Sequence, residues 1–532
     1  MLKITRYQRY LLSLLSGLLM VLSFPYTGSL TPLIFVSFVP LLLVENTIAR
    51  NNYRSGKVFI HAYITFLVYN IGTTWWIWNA SSGGALMAFI LNALLMAIAF
   101  YIFHIIKKKL GKKVSYLVLP IVWIGFEYLH YYWELSWPWL SFGNVFSIRT
   151  TWIQWYEFTG SLGGTLWVLI ANLLVFKIIT DWKGNNTTFQ KMRPAILSLT
   201  LALILPLLIS LVLYSTYKEE KRPIEVVLLQ PNIDPYNEKF TASLESQLDK
   251  MLDLADSKVT ANTDLVVAPE TAISWSFYEE DFARLPFYPY LKNRVSNWGN
   301  AYFLSGASTL RIFKKSHSRA SRPLEGGPGF FESYNSSLLM DSANNYSFLH
   351  KSKLVLGVEK LPFSDWLPFL EELSIENGGT SGTLGIEEEP QVMHTNHFTF
   401  APLICYESIY GEFNAEQVKK GAEAIIVITN DGWWGDTPGY KQHMSFSRLR
   451  AIENRRSVAR SANTGTSCII DQRGDVITQT EYWKSAVIKG NINLNKNVTF
   501  YSSTGDLLGK TCTIMGFILL LMSMFKNSFK KK

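Results

Sequence analysis

Long apolar runs at both ends of the chain constrain its fold more than any other feature of the sequence. They lie before about residue 215 and after about residue 510, and the region between them is polar. Only 17% of the 532 residues are charged, against about 25% in a typical soluble protein. Because a bilayer offers no water to backbone polar groups, such runs form helices. The sequence therefore predicts a polytopic α-helical membrane domain with a soluble domain inserted near its end.

Eight apolar runs are candidate membrane spans, and some are shorter than the ~20 residues that cross the hydrocarbon core. They cover residues 10–24, 30–44, 58–78, 85–106, 116–128, 160–179, 195–213 and 513–525. We predict a transmembrane domain of seven helices over residues 1–215 and a C-terminal transmembrane helix over residues 510–526. The first run ends at Pro25 without a small-residue cleavage site, which indicates a retained span and not a signal peptide.

Basic residues cluster before the first run and in every second connection after it. Arg6 and Arg9 precede the first run, and later clusters contain Arg50, Arg54 and Lys57, then Lys107, Lys108 and Lys109. The intervening loops at 26–29 and 79–83 carry no charge. Because cytoplasmic loops are rich in lysine and arginine, this alternation predicts that both termini are cytoplasmic and that the soluble domain lies outside. The net charge of +9 comes largely from such flanks, and no nucleic-acid motif accompanies it, so no nucleic-acid partner is expected.

Residues 223–500 have the pattern of an α/β domain. Short apolar runs that predict strands occur at 225–229, 265–268, 302–304, 337–340, 424–429 and 467–470. Leu244, Leu248 and Leu252 share one face of a predicted helix. Strands that alternate with helices imply a layered sheet. Residues 311–329 are basic and contain glycine and proline, which predicts a solvated loop.

Three stretches of this domain place a reactive side chain next to a strand-like run. Glu270 ends one such run, Lys351 and Lys353 follow a second, and Cys405 ends a third over residues 398–404. Each has a structural alternative: Glu270 as a helix cap, Lys351 as surface charge, and Cys405 as a small buried hydrophobe. Because the strand ends of one sheet converge, α/β sites are commonly built there. We therefore expect a base, a cation and a thiol to meet.

Other chemistry has little support in the sequence. Cys405, Cys468 and Cys512 form no CxxC pair and no disulfide framework. The eight histidines show no metal-ligand spacing. Neither a metal nor a cofactor is expected. The segment 129–159 carries five tryptophans, and we expect it to lie at the level of the lipid head groups, which indoles prefer.

The order glutamate, lysine, cysteine resembles the nitrilase, or carbon–nitrogen hydrolase, superfamily. Eight spans around such a domain resemble the apolipoprotein N-acyltransferase family. The motifs that carry the resemblance are Gln230-Pro-Asn-Ile233, Pro269-Glu-Thr271, Cys405-Tyr-Glu407, Asn430-Asp-Gly-Trp-Trp-Gly-Asp436, Arg460-Ser-Ala-Asn-Thr-Gly465 and Trp137-Pro-Trp-Leu-Ser-Phe-Gly143. The chain departs from the family before Glu359, where Leu356-Gly-Val358 replaces the family's Pro-Phe-Gly.

The resemblance implies a nitrilase-like αββα sandwich over residues 223–500, with the catalytic triad Glu270, Lys351 and Cys405. Lys353 is a rival for the catalytic lysine, and Lys351 keeps the better spacing. The implied supporting residues are Glu359, Tyr406 and Glu407. The implied reaction is ping-pong transfer of an acyl chain from a phospholipid, phosphatidylethanolamine, to the α-amino group of a diacylglyceryl-cysteine on an apolipoprotein. A monomer would perform this last step of lipoprotein maturation in the bacterial inner membrane, with its catalytic domain in the periplasm.

In the implied mechanism, Glu270 removes the thiol proton and an acyl thioester forms on Cys405. We expect burial to raise the pKa of Glu270 for this role. Lys351 and the backbone N–H of Tyr406 would stabilise the oxyanion. Two other functions stay open: a membrane-tethered nitrilase-type amidase for a small substrate, and a non-catalytic lipoprotein-binding module on the same scaffold.

Overall fold

The computed structural model describes residues 4–111, 115–182, 189–239, 241–363 and 383–525. The chain divides into two compact units. One comprises residues 1–78, 82–216 and 506–532, and the other comprises residues 79–81 and 217–505. The domain boundaries at 215, 223, 500 and 510 stay predictions.

The α-helices of the described residues make up most of the first unit and a smaller part of the second. They are α1 (Arg6–Ser23), α2 (Val39–Arg50), α3 (Gly56–Thr74), α4 (Ile77–Ala80), α5 (Ser82–Leu110), α6 (Ser115–Leu129), α7 (Tyr156–Trp182), α8 (Phe189–Thr216), α9 (Leu244–Asp256), α10 (Tyr288–Ser296), α11 (Gly411–Lys419), α12 (Pro438–Asn454), α13 (Phe500–Thr504) and α14 (Leu507–Phe525). The first helix begins with a capping box, in which Thr5 and Gln8 bond each other's backbone N–H groups.

Helices lie at all eight positions where apolar runs predicted spans. Five helical stretches within the described residues are long and apolar enough to cross a membrane: Thr31–Arg50, Ser82–Leu110, Tyr156–Trp182, Met192–Thr216 and Leu507–Phe525. The runs at 10–24, 58–78 and 116–128 correspond to α1, α3 and α6, which do not meet that measure. A helical membrane domain is confirmed, and the number of eight spans stays a prediction. Residue 526, the predicted end of the last span, lies outside the described residues.

The tryptophan-rich segment is folded into the membrane domain. It forms short 3-10 helices at Pro138–Leu140, Phe142–Phe146 and Thr150–Trp152. Glu127 on α6 accepts hydrogen bonds from the Phe142 backbone N–H (3.1 Å) and from the Thr165 hydroxyl (2.7 Å). Trp139 is only 1% exposed and its ring lies 4.9 Å from that of Trp76. Trp139 therefore packs inside the helical unit, where Glu127 bonds the loop backbone, and the head-group level of the segment stays a prediction.

The second unit contains all described strands. They are β1 (Pro223–Gln230), β2 (Thr263–Val267), β3 (Ile273–Tyr278), β4 (Tyr302–Phe313), β5 (Arg322–Pro323), β6 (Phe330–Met340), β7 (Tyr346–His350), β8 (Met393–His394), β9 (Thr399–Ile404), β10 (Ala424–Thr429), β11 (Val458–Ala462), β12 (Cys468–Ile470), β13 (Val476–Gln479) and β14 (Ala486–Asn493). One sheet has the order β14-β1-β2-β4-β6-β5, with β3 paired to β4 and β7 paired to β6. The other has the order β13-β12-β11-β10-β9-β8.

These strands confirm the predicted ones, with one correction. Strand β4 continues to Phe313, which pairs antiparallel with Phe330 at the start of β6. Residues 311–313 therefore extend a hairpin and do not belong to the predicted loop. The backbone pairing of a long two-stranded ribbon stabilises these residues although their side chains are basic or partly exposed.

Strand β1 shows how the sheets are layered. Val226 and Leu228 pack into a core with Phe400, Ile426 and other residues of the second sheet. Their neighbours Val227 and Leu229 face the opposite side, since side chains alternate along a strand, and there they pack with Leu244, Leu248 and Leu252 of α9. Helices α11 and α12 contact strands of the second sheet. The order helix, sheet, sheet, helix confirms the predicted αββα sandwich.

Candidate active site

Three strands end in the same backbone conformation. Asn232 beyond β1, Thr271 beyond β2 and Cys405 beyond β9 have φ angles of 55°, 48° and 53°. Residues other than glycine rarely adopt this left-handed conformation, and such strain is found disproportionately at functional sites. Each corner turns the chain sharply where a sheet ends. The corners therefore position Cys405 and Glu270, which precedes Thr271, outside their strands.

Glu270 is buried, and three donors face its carboxylate. Oε1 accepts from Asn335 Nδ2 (2.8 Å) and from Lys351 Nζ (3.1 Å), and Oε2 accepts from the Asn430 backbone N–H (3.0 Å). Burial alone would raise the pKa of Glu270, but Lys351, the Asn335 bond and Lys239 outweigh it and lower the pKa. The expected rise is therefore wrong, because the sequence indicates burial and not these donors. Glu270 is ionised at neutral pH, which is the form a base requires.

A glycine of β4 makes room for the Glu270 corner. A Cβ on Gly306 would lie 2.2 Å from the Thr271 nitrogen and 2.6 Å from the Glu270 Cα. The Gly306 N–H also donates to the Pro269 carbonyl at 3.1 Å. Any side chain at position 306 would displace the backbone that carries Glu270.

The structure places Lys351, and not Lys353, against Glu270. Lys351 Nζ lies 3.1 Å from Glu270 Oε1 and 2.8 Å from Glu359 Oε1. Burial opposes its charge, but the two carboxylates outweigh that effect and raise the pKa of Lys351, so it is an ammonium. Lys353 Nζ instead lies 5.7 Å from each of the ring centroids of Tyr410 and Phe413.

Glu359 joins the cluster in spite of the altered sequence before it. Its Oε1 accepts from Lys351 and from Asn335 Nδ2 (3.0 Å), and its Oε2 accepts from the Val355 backbone N–H (2.8 Å). The bond to Val355 fixes the carboxylate within its own loop. Asn335 therefore connects Glu270 to Glu359, and its position in the middle of β6 gave no signal in the sequence.

Cys405 lies between β9 and a short 3-10 helix at Cys405–Ile409. Burial raises the pKa of its thiol well above the ordinary value, Glu270 raises it further, and Lys351 opposes the rise. Both side chains are thus within electrostatic range of the sulfur. In the resting site the sulfur is a thiol beside an ionised Glu270. Cys468 and Cys512 are also free and buried.

Glu407 connects the cysteine corner to the lysine segment. Its Oε1 accepts from the backbone N–H groups of Ser352 (2.6 Å) and Lys353 (3.3 Å), and its Oε2 accepts from that of Ile404 (2.8 Å). Burial raises the pKa of Glu407 to about 7, although these N–H groups lower it. Glu407 is therefore placed to position both Lys351 and Cys405. Tyr406 is buried, with its ring 5.4 Å from that of Tyr410.

A buried network supports the cysteine corner from behind. Asp431 accepts from Arg460 Nη2 (2.6 Å) and its Oδ1 lies 2.9 Å from His443 Nδ1. His443 Nε2 lies 3.1 Å from the Cys405 carbonyl oxygen, to which the Ser408 hydroxyl donates at 2.8 Å. Asp431 and Arg460 belong to motifs recognised in the sequence. His443, in the middle of α12, gave no signal.

Cys405, Asp431 and His443 also bring three potential metal-ligand atoms within 4.8 Å of one another. Both Asp431 oxygens, however, already contact Arg460 or His443. The guanidinium beside Asp431 supplies the positive charge that a metal ion would otherwise supply. The cluster therefore fits a hydrogen-bonded support for Cys405 better than a cation site.

Comparison with protein families accounts for most of the chain. A family model described as carbon-nitrogen hydrolase matches residues 226–498, which is just over half of the chain. The chain belongs to the carbon-nitrogen hydrolase family. A second family model matches residues 16–174, in the N-terminal part of this carbon-nitrogen hydrolase. It is described as apolipoprotein N-acyltransferase N-terminal domain.

Curated relatives of this carbon-nitrogen hydrolase align along nearly the whole chain. An apolipoprotein N-acyltransferase of Chlorobaculum tepidum is 29% identical over 525 residues, with 97% of this chain and 96% of the relative covered. The enzyme of that name from Geobacter metallireducens is 27% identical over 546 residues, with 98% and 96% covered. Among solved structures, Nit3 of Saccharomyces cerevisiae matches 52% of this chain and 92% of its own, at 18% identity and a TM-score of 0.36. The predicted resemblance to apolipoprotein N-acyltransferases is confirmed.

Proposed function

We propose that this protein is an apolipoprotein N-acyltransferase that works through a thioester on Cys405. The observation that carries the proposal is the cluster at the strand ends, where Lys351 bonds both Glu270 and Glu359 within electrostatic range of Cys405. The similarity of the whole chain to enzymes of that name selects acyl transfer among the reactions such a cluster could perform.

In the first half-reaction, the Cys405 sulfur attacks the ester carbonyl of a phospholipid. The S–C bond forms, the thiol proton passes to Glu270, and then the ester C–O bond breaks as Glu270 returns that proton to the departing lysophospholipid oxygen. Because the pKa of Glu270 is lowered and that of Cys405 is raised, prior proton transfer is uphill and must be coupled to attack. Lys351 and the Tyr406 N–H stabilise the oxyanion, by about 3–4 kcal/mol per donor.

In the second half-reaction, the α-amino group of the apolipoprotein's diacylglyceryl-cysteine attacks the thioester. The amide C–N bond forms, Glu270 accepts the proton that the nitrogen loses, and the C–S bond breaks as this proton returns to Cys405. An amide is much more stable than a thioester, so this step is downhill. Glu359 and Glu407 take no part in bond exchange and hold Lys351 and Cys405 in position.

The proposed setting is the inner membrane of a bacterium, where the chain acts as a monomer with its catalytic domain in the periplasm. The apolar helices and the alternation of basic and uncharged loops support this placement. Phosphatidylethanolamine is the proposed donor. Membrane anchoring suits the reaction, because both substrates keep acyl chains in the lipid.

The deciding experiment follows the acyl chain. The purified full-length protein is incubated with phosphatidylethanolamine, and the mass of the Cys405 peptide is measured before and after hydroxylamine, which cleaves thioesters. We expect an acyl-sized increase that hydroxylamine removes, and transfer of the chain to an added lipopeptide amine. Release to water alone would favour the amidase, and no adduct would favour the binding module.

The first prediction concerns the nucleophile. Cys405→Ser should fold and insert normally but form no hydroxylamine-sensitive adduct, because a serine hydroxyl is a much weaker nucleophile than a thiolate in the same position. Cys512→Ser, which changes another buried free cysteine, should acylate like the wild type. Acyl transfer by the Cys405→Ser protein would refute Cys405 as the acyl carrier.

A further inference from the structure

A second buried lysine, Lys239, lies at the active-site cluster and was not singled out by the sequence. Its side chain is 5% exposed, and its Nζ donates to the hydroxyl of Thr271, the residue after Glu270. Its backbone is also held: the N–H donates to the Asp234 carbonyl (2.9 Å) and the carbonyl accepts from Gln247 Nε2 of α9 (2.9 Å). The fixed backbone and the bond to Thr271 place the ammonium beside the corner that carries Glu270.

The charges around Cys405 show what this ammonium offsets. Glu270 and Glu359 carry two negative charges against the one positive charge of Lys351, which bonds both carboxylates. These three groups alone would leave one negative charge uncompensated in a buried site. Formation of a thiolate or an oxyanion would add another. Asp431 also raises the pKa of the Cys405 thiol. Because Asp431 is paired with Arg460, this ion pair supplies no net positive charge to the sulfur.

We propose that Lys239 is an electrostatic positioning residue of the acyl-transfer site, whose ammonium offsets the excess negative charge and so favours negative charge on Cys405. The inference deepens the proposed function and rests on it for the role of Cys405 as nucleophile. Charge interactions are strong where water is excluded, and Lys239 interacts electrostatically with both Glu270 and Cys405. Lys351 cannot supply this charge alone, because two carboxylates already share it.

The charge of Lys239 is present at neutral pH and is lost in mildly alkaline solution. Burial lowers the pKa of Lys239 to about 8, while Glu270 and Cys405 oppose the shift. The ammonium therefore supports the sulfur below about pH 8 and disappears above it. An arginine at this position would stay charged throughout, since its pKa exceeds about 12.

The test measures how fast iodoacetamide alkylates Cys405 in the full-length protein, because this rate follows the thiolate fraction. Rates are compared from about pH 7 to about pH 10 for the wild type, Lys239→Met and Lys239→Arg. At pH 7 we expect Lys239→Met to react about tenfold more slowly, equivalent to about one pH unit, and Lys239→Arg to react like the wild type. Above about pH 8 the wild-type profile should converge on that of Lys239→Met, while the Lys239→Arg profile stays apart.

A matched control is Lys250→Met, which removes an exposed lysine whose Nζ donates to the Asn232 carbonyl at 3.0 Å, in the corner beyond β1. In this variant Cys405 should be alkylated at the wild-type rate.

If Lys239→Met unfolds, Lys239→Gln replaces it, since the amide can keep a bond to Thr271 without the charge. Equal rates for the neutral variant and the wild type at pH 7 would overturn the proposal, and so would an arginine variant as slow as the neutral one. Alkylation needs no acyl donor, so this result is independent of whether the protein transfers acyl chains.

Discussion

Glu270, the proposed base, is ionised because neighbouring positive charge and a hydrogen bond outweigh the effect of burial on its pKa. Burial of a carboxyl group disfavours its ionised form. Here the charge of Lys351, the hydrogen bond from Asn335 and the charge of Lys239 lower the pKa of Glu270 and outweigh burial. For Cys405 the outcome is the reverse: burial and the negative charge of Glu270 both raise the pKa of the thiol, so it stays protonated. The resting site is thus a carboxylate next to a thiol, with the proton transfer left for the reaction itself.

The second prediction follows from the direction of the Glu270 shift. Because its pKa in the folded protein is lowered, the base is present at neutral pH and is lost only as the pH falls through the lowered value. Acyl-enzyme formation, measured from roughly pH 3 to pH 7, should therefore lose activity below the ordinary glutamate range. Asn335→Leu removes one donor and should move this loss to higher pH. An unchanged profile in that variant would contradict the role given to Asn335.

The third prediction separates the two candidate lysines. Lys351→Met removes the ammonium that faces Glu270 and Glu359 and should slow acyl-enzyme formation by about 10²–10³-fold, the usual effect of losing one oxyanion donor. Lys353→Met is the matched control two residues away, where the ammonium lies over the rings of Tyr410 and Phe413. It should retain the rate within a few-fold. Single-turnover acylation of Cys405 measures both, and the reverse ranking would assign catalysis to Lys353.

At the level of strands and loops, the site depends on corners that are strained and tightly packed. Thr271 and Cys405 both follow strand ends with left-handed backbones. Glu407 joins the loop after β7 to the end of β9 through three backbone N–H groups. These elements come from distant parts of the sequence. Their mutual position therefore depends on a few contacts that a small change of backbone would break.

The fourth prediction tests the closest of these contacts. Gly306→Ala places a Cβ within 2.6 Å of the Glu270 corner, so the corner has to shift. We expect a loss of about 1–3 kcal/mol of folding free energy, as for other overpacked sites, together with slow acylation of Cys405. Gly327→Ala, at a glycine with open space around it, is the control and should change neither. Thermal unfolding and acylation are measured on the same samples, and wild-type acylation by Gly306→Ala would show that the corner tolerates displacement.

At the level of the complete chain, the apolar helices and basic loops predict which side of the membrane each segment faces. The fifth prediction uses Asn51→Cys in the loop after α2 and Gly327→Cys in the soluble unit, both exposed. The native cysteines are buried and give little background. In intact cells stripped of their outer membrane, an impermeant maleimide should label position 327 and reach position 51 only after lysis. The opposite pattern would place the soluble unit in the cytoplasm and reverse the topology.

Sequence alone determined the features that depend on neighbours along the chain. Long apolar runs predicted the helical membrane domain, and short apolar runs predicted about half of the described strands, because both patterns are local in the sequence. Glu270, Lys351 and Cys405 were found because each lies next to such a run. The tertiary structure alone decided the ionisation of Glu270 and the presence of Asn335, Lys239 and His443 around the site. Asn335 is 65 positions from the Glu270 it bonds, and contacts across that distance leave no periodic trace, since only the packing of the sheets brings the partners together.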